Sequence, residues 1–308
     1  MIGSLRRVAG KHRKWLQALL GTLLLAVVIH RSQPARLVEY LFRAPLALLI
    51  PWLAFYYLVT VFSWGCGVYS LLRRINPGGW WRLLGASFKL QVLSVLVPGR
   101  LGDLGLMYFL RDRYTPGQGG AVLVVDKMIT LVVNLLLAGC GLAVVFSWWV
   151  ALLFALATVA GFVLLFWFFL KCPRELLRWR VLESLLTRLE GFRSELRATL
   201  ADHRALAVNL FLTCFRYLLA GVSMVLLLHW FGASLPLWLV VLIQSLGQFV
   251  TFIPITTMGI GVQEATSVYL FGLYGVAPAV VLAVGLWGRA IYLAFIVLVY
   301  GVWLARME

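Results

Sequence analysis

Val250-Thr251-Phe252-Ile253-Pro254-Ile255-Thr256-Thr257-Met258-Gly259-Ile260-Gly261-Val262-Gln263-Glu264-Ala265 interrupts the apolar segment 237–275 with a proline, a threonine pair and two glycines. Neither half of that segment is long enough to cross a hydrocarbon layer of ~30 Å as a helix. Pro and Gly leave backbone groups unpaired, and at membrane depth such backbone is tolerated only where protein covers it or a watery cavity receives it. The stretch therefore reads as the break of a re-entrant hairpin that marks an interior site. Residues 83–110 have the same form: a short helix to Val97, the interruption Pro98-Gly99-Arg100, and a second short helix.

Composition sets the medium around these breaks. With 63% hydrophobic and 12% charged residues, and a mean hydropathy of +0.96, the 308-residue chain is an integral membrane protein. Runs long enough to span lie near Trp15–Ile29, 44–72, 119–145, 149–170, 205–230 and 279–304, so six spans flank the two hairpins. The first run follows Arg6, Arg7, Lys11, Arg13 and Lys14 as a signal peptide would, but His30-Arg31-Ser32-Gln33-Pro34 lacks a small-x-small cleavage site. A retained anchor helix is expected.

The net charge of +16 could suggest nucleic acid, but the basic residues sit mostly between apolar spans, and no nucleic-acid partner is expected. Their distribution decides how 83–110 runs. A single crossing would put the polar stretch 171–204, with its eight Lys/Arg, outside; a hairpin returning to its own side puts it in the cytoplasm. Under the hairpin topology, 19 of the 27 basic residues are cytoplasmic and only Arg31, Arg36 and Arg43 lie outside. Both termini are then cytoplasmic, in the cytoplasmic membrane.

The chain is expected to be one membrane domain, 1–308, holding two halves. Residues 44–145 and 205–304 each read helix, broken hairpin, helix, starting from opposite sides, which is the pattern of an inverted repeat. Asp103 follows the first break and precedes Asp126-Lys127 by 23 residues, while Glu264 follows the second and precedes Arg289 by 25. Between the halves, Leu182, Leu185, Leu189, Phe192, Leu196 and Leu200 recur at three- and four-residue steps within 171–204, which predicts an amphipathic connector.

Several chemistries are disfavoured. No G-x-x-x-x-G-K-[ST] loop is present to hold a nucleotide, and His12, His30, His203 and His229 are dispersed away from both breaks. Cys66, Cys140, Cys172 and Cys214 show no metal or redox spacing. Gly259-Ile260-Gly261 lacks the preceding strand of a dinucleotide site, so no cofactor is expected. The informative residues are the charges in apolar segments, each unfavourable by ~2.5–3.5 kcal/mol at a helix centre. Lys89 and Arg216 read as snorkelling side chains. Asp103 reads either as a helix-start acid or as a site residue, and Asp126 either as half of a structural ion pair or as part of a path. Arg100, Glu264 and Arg289 are the first candidates for function.

Val97-Pro98-Gly99-Arg100-Leu101-Gly102-Asp103 resembles the Pro-x-Arg-x-Gly-Glu element of the lysylphosphatidylglycerol synthase transmembrane-region family, also called the flippase-like domain family. Gly259-Ile260-Gly261-Val262-Gln263-Glu264-Ala265 resembles its Gly-x-Gly-x-x-Glu-Ala element, Asp126-Lys127 falls where the family tends to have Glu-Arg, and Arg289 falls on its last-helix arginine. Departures are Asp103 for Glu, Leu106 in place of a basic residue and Thr130 in place of an acid; they bear on headgroup preference. The resemblance implies a lipid translocase whose headgroup site draws on Arg100, Asp103, Asp126, Lys127, Gly259, Gly261, Glu264 and Arg289. Relatives fused to a cytoplasmic synthase domain flip aminoacylated phosphatidylglycerol; stand-alone relatives are associated with polyisoprenyl-phosphate glycolipids or hopanoid lipids. Ending at Glu308 without that domain, the chain is expected to be a stand-alone member without enzyme activity. A lipid-modifying enzyme or glycosyltransferase is a possible partner. A transporter of a small soluble anion, or a non-transporting partner of a membrane glycosyltransferase, would suit the same buried charges.

Overall fold

The computed structural model describes residues 2–96, 105–109, 111–171, 192–251, 256 and 259–304, and every element among them is a helix. In chain order these are α1 (Ile2–Arg31), α2 (Pro34–Phe42), α3 (Leu46–Leu72), α4 (Trp80–Leu96), α5 (Gly105–Phe109) and α6 (Pro116–Val145). They continue with α7 (Trp148–Lys171), α8 (Phe192–Ala201), α9 (His203–Trp230), α10 (Leu237–Thr251), α11 (Val262–Gly272) and α12 (Pro278–Leu304).

Among the described residues, α3, α6, α9 and α12 are long and apolar enough to cross a membrane, and α1 joined to α2 across a 92° bend makes a fifth span if the pair is counted as one. The described apolar part of α7, Trp148–Gly161, falls short of a span, so the sixth expected crossing is carried only by the full 24-residue helix. Large apolar side chains on α7, including Leu153, Leu156 and Leu164, point outward, as helices in lipid require. Local chemistry moves the helix starts. Thr115 caps α6 by accepting from the Gln118 amide while the Gln118 side chain accepts from the Thr115 amide, and Pro116 opens the first turn, so α6 begins three residues before the apolar run.

Two compact units form. The first comprises Met1–Thr60, Gln91–Gly102 and Tyr217–Glu308; the second comprises Val61–Leu90 and Asp103–Arg216. In the first unit α11 packs against α1, α10 and α12, and Trp52 of α3 donates to Ser223 of α9 at 3.0 Å. In the second, α6 packs against α5, α7 and α8, and Arg74 pairs with Glu195 of α8.

Each segment expected to be broken holds two described helices, while residues 97–104, 252–255 and 257–258 of the breaks lie outside the described residues. The first is the 17-residue α4 followed by the five-residue α5; Arg100 and Asp103 lie outside the described residues. Its two ends meet: Tyr114 donates to the Asn76 carbonyl at 3.4 Å and Arg113 to that of Gly78 at 3.5 Å. Burial pushes the Tyr114 phenol up from its usual range. The second segment is α10 followed by α11. The expected connector is seen only as α8, with Leu182, Leu185 and Leu189 outside the described residues. On α8 the buried side chain is Thr199, while Leu200 is exposed. Phe192, Glu195, Leu196 and Thr199 share the covered side of α8, where Glu195 pairs with Arg74.

Candidate functional site

Glu264 stands in the first turn of α11, where its carboxylate closes the break over itself. The Gly261 amide donates to Glu264 Oε2 at 2.7 Å, and Arg289 Nε donates to Glu264 Oε1 at 2.5 Å. Each carboxylate oxygen thus has its own donor, which is what burial to 5% side-chain exposure requires. Arg289 lies eleven residues, or ~17 Å, into the 27-residue α12, so the pair sits near the middle of that helix. Its Nη2 also donates to Gln263 Oε1 at 3.3 Å, and the guanidinium keeps 27% of its side-chain surface exposed.

The glycines of the break have separate reasons. Gly259 and Gly261 hold φ of +69° and +80°, a left-handed conformation that side chains resist. At Gly261 space is also closed: a Cβ there would lie 2.4 Å from the Gly21 carbonyl oxygen and 2.8 Å from Leu24 Cβ, both on α1. Gly21 answers from the other side, its own Cβ position lying 3.0 Å from the Ile260 carbonyl oxygen. The first helix therefore touches the break backbone to backbone. This contact is not apparent in the sequence motif.

Three residues around Arg289 also escaped the sequence reading. Tyr57 of α3 donates to the Gly288 carbonyl at 2.8 Å and its ring lies 5.1 Å from that of Tyr292. Tyr292 donates in turn to Gln91 Oε1 at 3.1 Å, six residues before Val97 and the first break. α12 is thereby held on both sides of Arg289, and the end of α4 is tied to it within the first unit.

Asp126 and Lys127 form a separate cluster in the second unit. Asp126, ten residues or ~15 Å into α6, is fully buried. Trp64 Nε1 donates to its Oδ2 at 3.1 Å and Asn209 Nδ2 to its Oδ1 at 3.0 Å. Lys127 Nζ stands 3.7 Å from the same carboxylate and 5.6 Å from the centre of the Trp64 ring, a cation–π placement. Gly67 makes room for this, since a Cβ there would come within 3.0 Å of Asn209 Nδ2. Trp64, Asn209 and Lys127 together satisfy the acid, and the Lys127 side chain keeps 40% of its surface exposed.

Two of the three departures from the motif have described surroundings. Leu106 is buried against a mostly apolar cavity of about 10 Å³ shared with Val68, Leu72, Tyr114, Val122 and Leu123, a setting that favours leucine over a charged side chain. Thr130 donates to the Asp126 carbonyl at 2.9 Å, so its hydroxyl is spent on the helix itself. Arg216, expected to snorkel, donates to Thr213 at 2.9 Å. Among the described residues no group of three or more His, Cys, Asp or Glu side chains could hold a metal ion.

No curated protein and no solved structure gives a significant match. Residues 14–299 nevertheless match the family model described as the lysylphosphatidylglycerol synthase TM region. Nearly the whole chain is covered, and the protein belongs to the lysylphosphatidylglycerol synthase TM region family of membrane proteins.

Proposed function

We propose that the chain moves a phosphate-bearing membrane lipid between leaflets, its headgroup passing the broken helices while the acyl chains stay in lipid. The observation that carries this reading is Arg289, near the middle of α12, held by Glu264 at a helix break and still partly exposed. A guanidinium has five N–H donors in a planar fork; two are engaged by Glu264 and Gln263, and the others suit phosphate oxygens. Glu264 compensates the cation when no lipid is bound. The resemblance to the family's motifs implies Arg100, Asp103 and Lys127 as further headgroup residues. Aminoacylated phospholipids and polyisoprenyl-phosphate glycolipids share this phosphate, so both belong to the substrate class.

The step is transport, with no covalent chemistry assigned to the chain and no nucleotide hydrolysed. The basic residues support an orientation in the cytoplasmic membrane with both termini inside, and a lipid-modifying enzyme or glycosyltransferase is the partner class that would supply or use the lipid. The test is reconstitution into liposomes with a panel of anionic and polyisoprenyl-phosphate lipids in the absence of ATP. Inter-leaflet movement should exceed that of empty liposomes, and Arg289→Ala should slow it about ten-fold or more, the loss expected for a charge-assisted hydrogen bond. Movement of a small anion with no lipid movement would replace this reading by a soluble-solute transporter. Movement of neither would leave the partner role.

A further inference from the structure

The stretch between the first two spans holds the helix α2, with Arg36 inside it and Arg43 as its C-cap. It leaves α1 at 92°, after Gln33 turns the chain through a left-handed conformation at φ 56° and Pro34 opens the new helix. Its nine residues rise only ~13.5 Å, far short of a crossing. If α1 crosses the membrane, α2 runs along its plane. Its level is marked by chain ends: α1 stops at Arg31, α3 starts at Leu46, and Tyr40 packs on Phe231, just beyond the end of α9, with ring centres 6.3 Å apart.

Helical spacing divides α2 into three stripes. Leu37, Tyr40 and Leu41 face the protein, with Leu37 buried. Pro34, Val38 and Phe42, at four-residue steps, form an apolar stripe that the chain leaves open: Val38 is 50% exposed and Phe42 87%. Arg36, Glu39 and Arg43 form the third, where an exposed Arg43–Glu39 pair at 2.8 Å leaves the stripe net positive. The apolar arc is thus half covered by protein and half open, and the polar stripe lies opposite it. A helix of this kind rests at a lipid–water boundary.

We propose that α2 is an in-plane membrane helix that binds anionic phospholipid, with Val38 and Phe42 among the acyl chains and Arg36 and Arg43 on the phosphates. The excess positive charge next to an open apolar stripe selects this occupant over a second copy of the chain, whose own arginines would be brought together. The inference is independent of which lipid is transported. It gives the first two helices a defined depth, and through Gly21 that depth reaches the second break.

The test uses the full chain in phosphatidylcholine vesicles with or without phosphatidylglycerol. A nitrobenzoxadiazole label is placed on Phe42→Cys or Arg36→Cys after the native cysteines are replaced by serine; should that background not fold, p-cyanophenylalanine in place of Phe42 in the native chain serves. The position-42 probe should be quenched by lipids carrying a nitroxide high on the acyl chain and protected from iodide, and the position-36 label should show the reverse. Nitroxide-labelled phosphatidylglycerol should quench position 42 more than nitroxide-labelled phosphatidylcholine does. Arg36→Gln and Arg43→Gln should each reduce that preference, by up to about five-fold per charge. Equal iodide quenching at both positions would overturn the in-plane helix. Protection of position 42 from lipid and iodide alike would mean that protein covers it, and an unchanged lipid preference in the arginine variants would overturn the phosphate contacts.

Discussion

Glu264 and Arg289 satisfy one another in a medium that would otherwise reject both charges. Removing either leaves its partner buried without compensation, at a cost of about 3 kcal/mol, the low end for a buried pair because Arg289 is partly exposed. Glu264→Gln and Arg289→Gln should each lower the unfolding midpoint more than the double substitution does, measured by tryptophan fluorescence in detergent; strictly additive shifts would mean that the two side chains act separately. Gly261 is constrained twice, by φ +80° and by the Gly21 carbonyl, whereas a Cβ at Gly259 would meet Thr251 at an ordinary 3.4 Å. Gly261→Ala should therefore lower the midpoint clearly more than Gly259→Ala, which carries about 1–3 kcal/mol of backbone strain alone. Equal shifts would show that the contact with α1 relaxes without cost.

At the scale of elements, the first broken segment returns to where it began. The bonds from Tyr114 and Arg113 to Asn76 and Gly78 join the residues just before α4 to those just after α5, a junction impossible if α4 and α5 crossed the membrane as one span. Cysteines placed at Arg74 and Thr115 should be labelled by an impermeant thiol reagent from one face only, the same face for both. Labelling from opposite faces would remove the hairpin. The parity of basic residues predicts this turn, and the contacts between the segment's two ends agree with it.

For the whole molecule, α1 is more than an anchor. Its Gly21 is a backbone neighbour of the second break, and α11 packs against α1 as well as against α10 and α12. Deleting residues 1–33 should therefore do more than weaken membrane insertion. It should expose the left-handed turn at Ile260–Gly261 to lipid or water, lower the unfolding midpoint of the remainder and abolish lipid movement in liposomes, even where the truncated chain is recovered in the membrane fraction. Retention of wild-type midpoint and transport by the truncated chain would show that α1 acts only in targeting.

Membrane residence, helical class and the family were legible in the sequence, because each rests on local chemistry. Apolar run length answers to bilayer thickness, Pro and Gly clustered together disfavour a continuous helix where Pro51 alone within α3 does not, and the 25-residue spacing of Glu264 and Arg289 leaves them on neighbouring helices. Of the amphipathic connector expected over 171–204, the described part is α8, on which Phe192 and Leu196 are half-buried beside the Glu195 that pairs with Arg74. Tertiary structure alone decided the partners of the charges. Trp64 and Asn209 lie 62 and 83 residues from the Asp126 that they hold, and no periodicity links residues so far apart. It also decided that a helix, α2, turns off the end of α1, and that Gly261 faces α1. Those outcomes depend on which surfaces meet, and a buried donor or an open stripe exists only once the helices have packed.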